Sequence, residues 1–197
     1  MKTKVKFCGM TRVQDVLAAE ELGADFIGFV FVPLSPRCIS LDEAKHLRTT
    51  IQQAKTVGVF MDHLHEEIEK YAETLNLDFI QLHGKPDMDR IKNFSKPVIQ
   101  AFRGVPDLTT AEAFLTLCPY ILIDKADGED EADFGAIAVL PFSLREKIFL
   151  AGGLTPGNVR MAVDRIQPYA VDCARGVESQ PGFKNHHRML AFSHALS

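Results

Sequence analysis

The sequence predicts an α/β fold, a compact (β/α)8 TIM barrel built on one parallel eight-stranded sheet. Three observations predict it: short apolar runs rich in β-branched residues recur eight times, a segment with helical periodicity follows each run, and the composition does not change along the chain. Alternating strands and helices form parallel sheets, and eight such units close into a barrel. An open doubly wound sheet is the alternative, but the sequence lacks the glycine-rich nucleotide-binding motifs typical of such sheets.

The eight predicted strands are short and are spread over the whole chain. Their first residues are Lys4, Asp25, Thr56, Asp78, Pro97, Tyr120, Lys147 and Tyr169. Because no linker or change in composition interrupts the repeats, we expect a single domain over residues 1–197.

Capping signals place the helices between these strands. Residues 11–14 and 40–43 match the capping-box pattern, which predicts the starts of the first two helices, and the first should end at Gly23. Thr155 followed by Pro156 predicts the start of the helix before the last strand. The two shortest predicted helices span residues 87–94 and 134–140.

Composition excludes several classes of protein. The chain is 46% hydrophobic and 24% charged, as is typical of globular proteins. Lys and Arg total 22 against 26 Asp and Glu, so the basic excess of a nucleic-acid-binding protein is missing and we expect no nucleic-acid partner. The longest apolar stretch, residues 26–34, is too short to span a bilayer, so we expect no membrane association. We expect a monomer rather than an obligate oligomer.

The cysteines and the first residues of the chain predict the compartment. The four cysteines, at positions 8, 38, 118 and 173, lack zinc-site spacing and are too few for a disulfide framework. Residues 1–7 resemble a strand rather than a signal peptide, so a cytoplasmic location is expected. If Cys8 and Cys173 lie close together on neighbouring strands, mild oxidation should link them reversibly.

Position in the barrel selects the candidate site residues. Active sites of such barrels lie at the C-terminal ends of the strands and in the loops that follow. The candidates found there are Cys8, Arg37, Asp62, His83, Arg103, Asp124, Lys125, Gly152, Gly153, Asp172, Ala174, Arg175 and Gly176. Among them, His83 suits a site role and a structural role about equally, and we interpret His83 and Asp172 as candidate substrate-binding residues.

Two of these loops predict an anion site. Gly152 and Gly153 precede a predicted helix start, and residues 174–176 could form a second close turn. Exposed N–H groups and the positive end of a helix dipole attract anions, and barrels often bind phosphate between strands seven and eight. The expected partner is therefore a small phosphorylated molecule.

Cys8 and Asp124 carry the most specific chemistry. A thiol acts as base or nucleophile only as thiolate, so Cys8 would need positive charge or dipoles nearby. Asp124 ends an apolar strand, which favours the neutral form that a general acid needs. Arg37 has the fork geometry for a carboxylate or phosphate. Lys125 raises a rival, Schiff-base aldolase chemistry, but strand alternation turns it away from Asp124.

Seven motifs then follow one another in a fixed order. They are KFCGMT at 6–11, GAD at 23–25 with GFVF at 28–31, SPR at 35–37, VGVF at 57–60, QLHG at 81–84, LAGGL at 150–154 and GVE at 176–178. From residue 4 to about residue 192, this ordered set resembles the phosphoribosylanthranilate isomerase family of tryptophan biosynthesis.

The resemblance implies an Amadori rearrangement of N-(5-phosphoribosyl)anthranilate, with no cofactor and no metal. By that similarity Asp124 is the general acid that protonates the furanose ring oxygen, and Cys8 is the general base that removes the proton from C2. Arg37 would hold the anthranilate carboxylate. Gly153, the helix start after it and the turn at 174–176 would hold the phosphate.

The sequence departs from the family pattern in three places. Ala174 and Arg175 stand where the family commonly has two serines, so Arg175 could supply a charge in place of a hydroxyl contact. The glycine-rich loop after the acid is replaced by the acidic segment 127–133. Asn185 after Lys184 replaces an aspartate, which we interpret as a helix-cap substitution with little effect.

Two rival functions are distinguished by Cys8 and Asp124. A ring-closing indole-glycerol-phosphate synthase shares the barrel fold, but its chemistry requires lysine and glutamate at the strand ends. A barrel that only binds phosphate, as a regulatory or assembly module, would bind its ligand regardless of either residue.

Overall fold

The structure is a computed structural model that describes residues 2–197. Its barrel elements are β1 Lys4–Cys8, α1 Val13–Glu21, β2 Phe26–Val30, α2 Leu41–Arg48, β3 Lys55–Met61, α3 His65–Thr74, β4 Phe79–His83, α4 Met88–Ile91, β5 Val98–Arg103, α5 Leu108–Leu115, β6 Tyr120–Asp124, α6 Phe134–Ala138, α7 Phe142–Arg145, β7 Ile148–Leu150, α8 Val159–Ile166 and β8 Ala170–Cys173. A 3-10 turn Arg175–Val177, a hairpin of β9 Glu178–Gln180 and β10 Phe183–Lys184, and α9 His186–His194 follow β8.

The strands β1–β8 form a closed parallel barrel in sequential order. The seam closes where β8 pairs with β1, with Lys6 opposite Asp172 and Phe7 opposite Cys173. The predicted fold class is therefore confirmed, and all eight predicted strands are present. An open doubly wound sheet is excluded because β1 and β8 are hydrogen-bonded to each other.

Strand alternation separates an outer core from the barrel interior. Outward side chains pack against the helices, as Phe7 does against Phe192 with ring centroids 5.9 Å apart. Inward side chains at the N-terminal ends of the strands form a cluster of rings that we call the aromatic plug. Its members are Phe26, Phe79, Tyr120, Phe149 and Tyr169.

One helix start was predicted correctly and two were wrong. At α2, Ser40 Oγ accepts from the Glu43 N–H at 3.2 Å and Glu43 returns a bond to the Ser40 N–H, as the capping box requires. The predicted box at Thr11 is wrong, because its hydroxyl donates to the Gly182 carbonyl of the hairpin instead. The α8 start predicted at Thr155 lies too early: residues 155–158 form a turn, and the helix begins at Val159.

The predicted short helices are confirmed, since α4 has four residues and α6 has five. The hairpin β9–β10 was not predicted. It is tied to α1 through the buried Asp15 carboxylate, which accepts from the Lys184 N–H at 3.1 Å and from Arg12. Asn185 caps α9 by accepting from the Arg188 N–H at 3.1 Å, as expected of a capping substitution.

Within residues 2–197, the helices are too short or too polar for any of them to cross a membrane.

Candidate active site

A cavity of about 390 Å³ opens at the C-terminal ends of the strands, within the size range of small-molecule sites. All ten residues predicted to act on or bind the substrate line it: Cys8, Arg37, His83, Asp124, Gly152, Gly153, Asp172, Ala174, Arg175 and Gly176. Arg103 and Lys125 line it as well, whereas Asp62 lines a neighbouring cavity between the loops after β2 and β3. The structure thus gathers residues that are far apart in the sequence.

Cys8 ends β1 inside the barrel and is 7% exposed. Gly28 on β2 lies opposite it in register, and a Cβ at Gly28 would lie 2.8 Å from Cys8 Sγ and 3.2 Å from Lys6 Nζ. Only glycine leaves room for both groups there. Burial raises the pKa of the Cys8 thiol, while the positive charges of Lys6 and Lys184 oppose that rise.

Lys6 lies beside Cys8 on the inner face of β1, and sequence reasoning did not single it out as a site residue. Its side chain is fully buried, and its Nζ donates to Asp172 Oδ1 at 3.0 Å. Burial alone would lower the pKa of Lys6, but the negative charge of Asp172 and the neighbouring Cys8 outweigh burial and raise it. Lys6 therefore stays protonated. Strand alternation was enough to identify Lys6 from the sequence, because Lys6 and Cys8 lie on the same face of β1.

Arg37 reaches the cavity already paired. Its Nε and Nη2 donate to the two carboxylate oxygens of Glu178 at 2.8 and 2.6 Å. Lys184, also buried, donates to Glu178 at 2.8 Å and to the Cys8 carbonyl at 2.7 Å. Burial would raise the pKa of Glu178, but hydrogen bonds from Arg37 and Lys184 outweigh it and lower the pKa. One edge of the guanidinium is thus occupied, and a ligand must use the remaining N–H groups.

His83 and Gln81 form a polar pair on β4. The Gln81 amide and His83 Nε2 are hydrogen-bonded at 2.7 Å. Burial, and secondly the charge of Lys6, lowers the pKa of His83 to about 4. The ring is therefore neutral at pH 7. Gln81 Oε1 is buried without a hydrogen-bond partner among residues 2–197, although Gln81 lines the cavity.

Asp124 lies at the end of β6, across the cavity from β1 in the strand order. Its Oδ1 accepts from the N–H of Lys125 at 2.8 Å. Gly152 is adjacent, and a Cβ there would lie 3.0 Å from Asp124 Oδ1, so glycine clears the carboxylate. The Lys125 ammonium donates to the Glu129 carbonyl in the following loop. It is engaged in that loop rather than paired with Asp124, although both residues line the cavity.

The loops after β7 and β8 form a second cavity of about 420 Å³ beside the main one, at the place where the sequence predicts an anion site. Gly153 has φ +77°, and its backbone closely approaches residues 130 and 131 of the acidic loop. Asn158 donates to the Gly153 carbonyl at 3.1 Å and to Glu131 Oε2 at 3.2 Å. Arg175 and Gly176 line the other side. The acidic loop therefore lies directly against the predicted anion site.

Cys173 does not lie beside Cys8 as a disulfide would require. It pairs with Phe7, belongs with it to the outer core, and donates its S–H to the Leu154 carbonyl at 3.3 Å. Cys8 packs inside the barrel with Val30. Side chains of successive residues point to opposite faces of a strand, so the condition for linking the two thiols by oxidation is not met.

A closed barrel that gathers a cysteine thiol, a carboxylate and glycine-rich loops at its C-terminal mouth defines the class of (β/α)8-barrel enzymes. A sequence model described as N-(5'phosphoribosyl)anthranilate (PRA) isomerase matches residues 5–195. The chain belongs to that family, whose members are aldose–ketose isomerases.

Individual relatives are similar to this chain over nearly their whole length. The N-(5'-phosphoribosyl)anthranilate isomerase of Pseudomonas fluorescens strain SBW25 is 37% identical over 97% of this chain and 94% of its own, and that of Dechloromonas aromatica is 38% identical over 100% and 97%. Monomers generated from the dimeric isomerase of Thermotoga maritima superpose with a TM-score of 0.86 at 34% identity, covering 98% of both chains. A phosphoribosyl anthranilate isomerase solved in complex with reduced 1-(o-carboxyphenylamino)-1-deoxyribulose 5-phosphate gives 0.84 at the same identity and coverage.

Proposed function

We propose that this chain converts N-(5-phosphoribosyl)anthranilate into 1-(2-carboxyphenylamino)-1-deoxyribulose 5-phosphate by an acid–base Amadori rearrangement. One observation carries the proposal: Cys8 and Asp124 reach the same cavity from β1 and β6, beside the glycine-containing loops after β7 and β8. It is supported by a family relative whose bound ligand is a reduced form of that product.

Asp124 acts as the general acid. Its Oδ1 is held by the Lys125 N–H, which leaves Oδ2 to carry a proton to the furanose ring oxygen of the substrate. Protonation breaks the bond from that oxygen to C1 and gives an open-chain iminium. The iminium is itself the electron sink for the next step, so the proposal includes no cofactor and no metal.

Cys8 acts as the general base. Its thiolate removes the proton from C2, and the electron pair moves towards the iminium to give an enolamine, which tautomerises to the ketone. Burial raises the pKa of Cys8, and the nearby charge of Lys6 opposes that rise, so the thiolate is held where a cation can stabilise it. The acid and the base each supply about 10²–10⁴-fold of the rate.

Binding energy comes from groups away from the reacting carbons. Arg37 holds the anthranilate carboxylate through the N–H groups that Glu178 leaves free. Gly153, Gly176 and residues 174–175 hold the phosphate, with the Arg175 guanidinium replacing a hydroxyl contact. Remote contacts of this kind position the reacting atoms. If Arg175→Ala left the KM unchanged, Arg175 would have no such role.

His83 and Asp172 complete the proposed contacts with the substrate. The neutral His83 ring and the Asp172 carboxylate both line the cavity, and both are able to hydrogen-bond to sugar hydroxyl groups. Asp172 retains acceptor capacity on the oxygen that Lys6 does not use.

Turnover of freshly prepared phosphoribosylanthranilate tests the proposal. Wild-type protein should be active, and Cys8→Ala and Asp124→Asn should each lose at least about a hundredfold in kcat. Cys38→Ala and Asp127→Asn, which change an exposed cysteine and an exposed loop carboxylate, are the matched controls and should keep full activity. An inactive wild type would refute the proposal. An inactive wild type that still bound phosphate would favour the barrel that only binds phosphate, whereas turnover unchanged in both variants would refute Cys8 as base and Asp124 as acid.

We also infer that the protein acts as a monomer in the cytoplasm. The support is its reduced cysteines, which are all free in the part of the chain that the structure describes. Because a solved relative is described as dimeric, the oligomeric state needs its own measurement. Light scattering coupled to gel filtration should give a mass near 21.9 kDa, and a mass of twice that value would overturn the inference.

A further inference from the structure

From the geometry around Gly28 we infer that Lys6 is a positioning residue that supplies the counter-charge for a Cys8 thiolate, and that Asp172 limits this effect by sharing the same ammonium. The inference rests on the proposed function, because it concerns the group that serves there as base. It adds two residues that set how readily Cys8 ionises.

Three contacts place these groups together. Lys6 and Cys8 follow one another on the inner face of β1, and both approach the position that a Cβ of Gly28 would fill, at 3.2 Å from Nζ and 2.8 Å from Sγ. The Lys6 Nζ also donates to Asp172 Oδ1 at 3.0 Å across the β1–β8 seam. The ammonium therefore lies between a thiol and a carboxylate.

Burial strengthens the electrostatic interactions of the Lys6 ammonium. The Lys6 side chain is 0% exposed and that of Asp172 is 9% exposed, so water screens their charges little. Lys6 remains charged there because Asp172 and Cys8 outweigh the effect of burial on its pKa. When Cys8 gives its proton to solvent, a full positive charge is already in place beside the new thiolate.

Other ionisable groups also lie around Cys8. Lys184 approaches from β10, but its Nζ is bound to Glu178 and to the Cys8 carbonyl. Arg37, in the loop after β2, shares the same Glu178 carboxylate. His83 on β4 is neutral at pH 7, and its pKa is itself lowered in part by Lys6. Cys173 belongs to the outer core. Lys6 is the cation whose Nζ meets Sγ at the position of Gly28, and Asp172 competes with Sγ for it.

The two residues should shift Cys8 in opposite directions. Removing the ammonium should leave Cys8 harder to ionise, and removing the carboxylate should leave it easier to ionise, because the charges of Lys6 and Asp172 act on the thiolate with opposite sign. A purely structural role for this ion pair would disturb the site in the same sense whichever partner is lost. The sign of the shift therefore separates the two explanations.

Alkylation of Cys8 by iodoacetamide measures its ionisation without any substrate. The rate is followed from pH 6 to 10 in a Cys38→Ser background, since Cys38 is exposed, and detection at the peptide level separates Cys8 from Cys118 and Cys173. The midpoint of the pH profile is the readout, because thiolate nucleophilicity itself changes with pKa. Cys8→Ala identifies the signal.

Lys6→Met should raise the midpoint so that alkylation at pH 8 slows at least tenfold, and Asp172→Asn should lower the midpoint. Lys6→Met leaves Asp172 unpaired and could impair folding, so Lys6→Met/Asp172→Asn removes both charges. That double variant should still have a midpoint above the parent, because the attraction of Lys6 exceeds the repulsion of Asp172. Lys4→Met is the matched control: Lys4 lies on the same face of β1 but pairs with Asp25, and it should leave the midpoint unchanged.

An unchanged midpoint in both Lys6 variants would overturn the inference. So would an unchanged or raised midpoint in Asp172→Asn, or an equal shift in Lys4→Met. Turnover separates the inference from the proposed function. If Cys8 is the base, the acidic limb of kcat/KM moves with the alkylation midpoint. A limb that stays in place while the midpoint shifts would refute Cys8 as base and leave the role of Lys6 intact.

Discussion

The two ends of the barrel interior are built from the same strands but from opposite chemistry. β4 and β6 begin with Phe79 and Tyr120 in the aromatic plug and end with His83 and Asp124 in the cavity. Because every second residue of a strand points inward, one strand carries an apolar residue at one end and an ionisable residue at the other without any change in backbone. The same scaffold thus separates stability from chemistry by position along the strand.

The two ends also differ in what burial does to their side chains. In the plug, rings pack on rings, with Phe26 and Phe149 centroids 5.0 Å apart and Tyr120 and Tyr169 centroids 4.1 Å apart. Such burial is favourable in itself. Near the mouth, Lys6 and Gln81 are equally buried, and burial of polar groups is costly unless partners are supplied. We therefore expect changes in the plug to alter stability and changes at the mouth to alter catalysis.

The largest expected effect tests the apolar end. Phe149→Ala removes a fully buried ring from the plug and should lower the free energy of unfolding by about 3–5 kcal/mol. The kcat of the folded fraction should stay close to that of the wild type, because Phe149 does not itself line the cavity. Phe142→Ala removes a 54% exposed ring and is the control, with little change in stability. If the kcat of the folded fraction also fell, stability and catalysis would not be separated between the two ends of the barrel.

The mouth should instead make stability depend on pH through His83. Burial and the charge of Lys6 lower the pKa of His83 in the folded protein to about 4, against 6.5 when it is exposed. Between these values the unfolded chain binds the proton more readily, so this contribution is complete above pH 6.5 and is lost as the pH falls towards 4. The loss amounts to about 3 kcal/mol.

Urea unfolding at several pH values checks this expectation. His83→Gln should flatten the dependence between pH 6.5 and 4, whereas His46→Gln, which changes an exposed histidine, should follow the wild type. If the free energy of unfolding depended on pH in the same way for His83→Gln and the wild type, the pKa of His83 would not be lowered in the folded protein.

The same contrast explains what could be predicted from sequence. Strand periodicity and strand-end position are local signals, and they found the barrel and brought Cys8 and Asp124 to one cavity. The capping box predicted at Thr11 is wrong because the partner of its hydroxyl, Gly182, is 171 residues away in the sequence. No local sequence pattern indicates such a contact. Lys184 is buried only because the hairpin folds back over Cys8, and a lysine in a polar segment gives no sign of burial. Long-range polar contacts were therefore the part that sequence reasoning missed.

A smaller effect is expected when the support of Arg37 is removed. Glu178→Gln keeps the shape of the side chain but removes the charge that binds both Arg37 and Lys184. Hydrogen bonds to charged groups contribute about 1.5–3 kcal/mol, so the KM should rise roughly tenfold as the guanidinium loses its orientation. The kcat should change less. Glu43→Gln, at an exposed cap of α2, is the control. A KM that fell instead would mean that Glu178 competes with the substrate carboxylate for Arg37.

The smallest effect tests the acidic loop at the edge of the mouth. Glu131 Oε2 accepts from Asn158 at 3.2 Å beside the anion site, so its charge opposes an incoming phosphate. Interactions of exposed charges amount to about 0.2–1 kcal/mol, so Glu131→Gln should lower the KM by a few-fold at most. Salt screens exposed charges, so the ratio of wild-type to variant KM should approach one as ionic strength rises. Glu129→Gln, in the same loop but lining a different cavity, should have a smaller effect at every salt concentration. A KM that rose in Glu131→Gln would show that the Glu131–Asn158 contact builds the anion site rather than opposing its ligand.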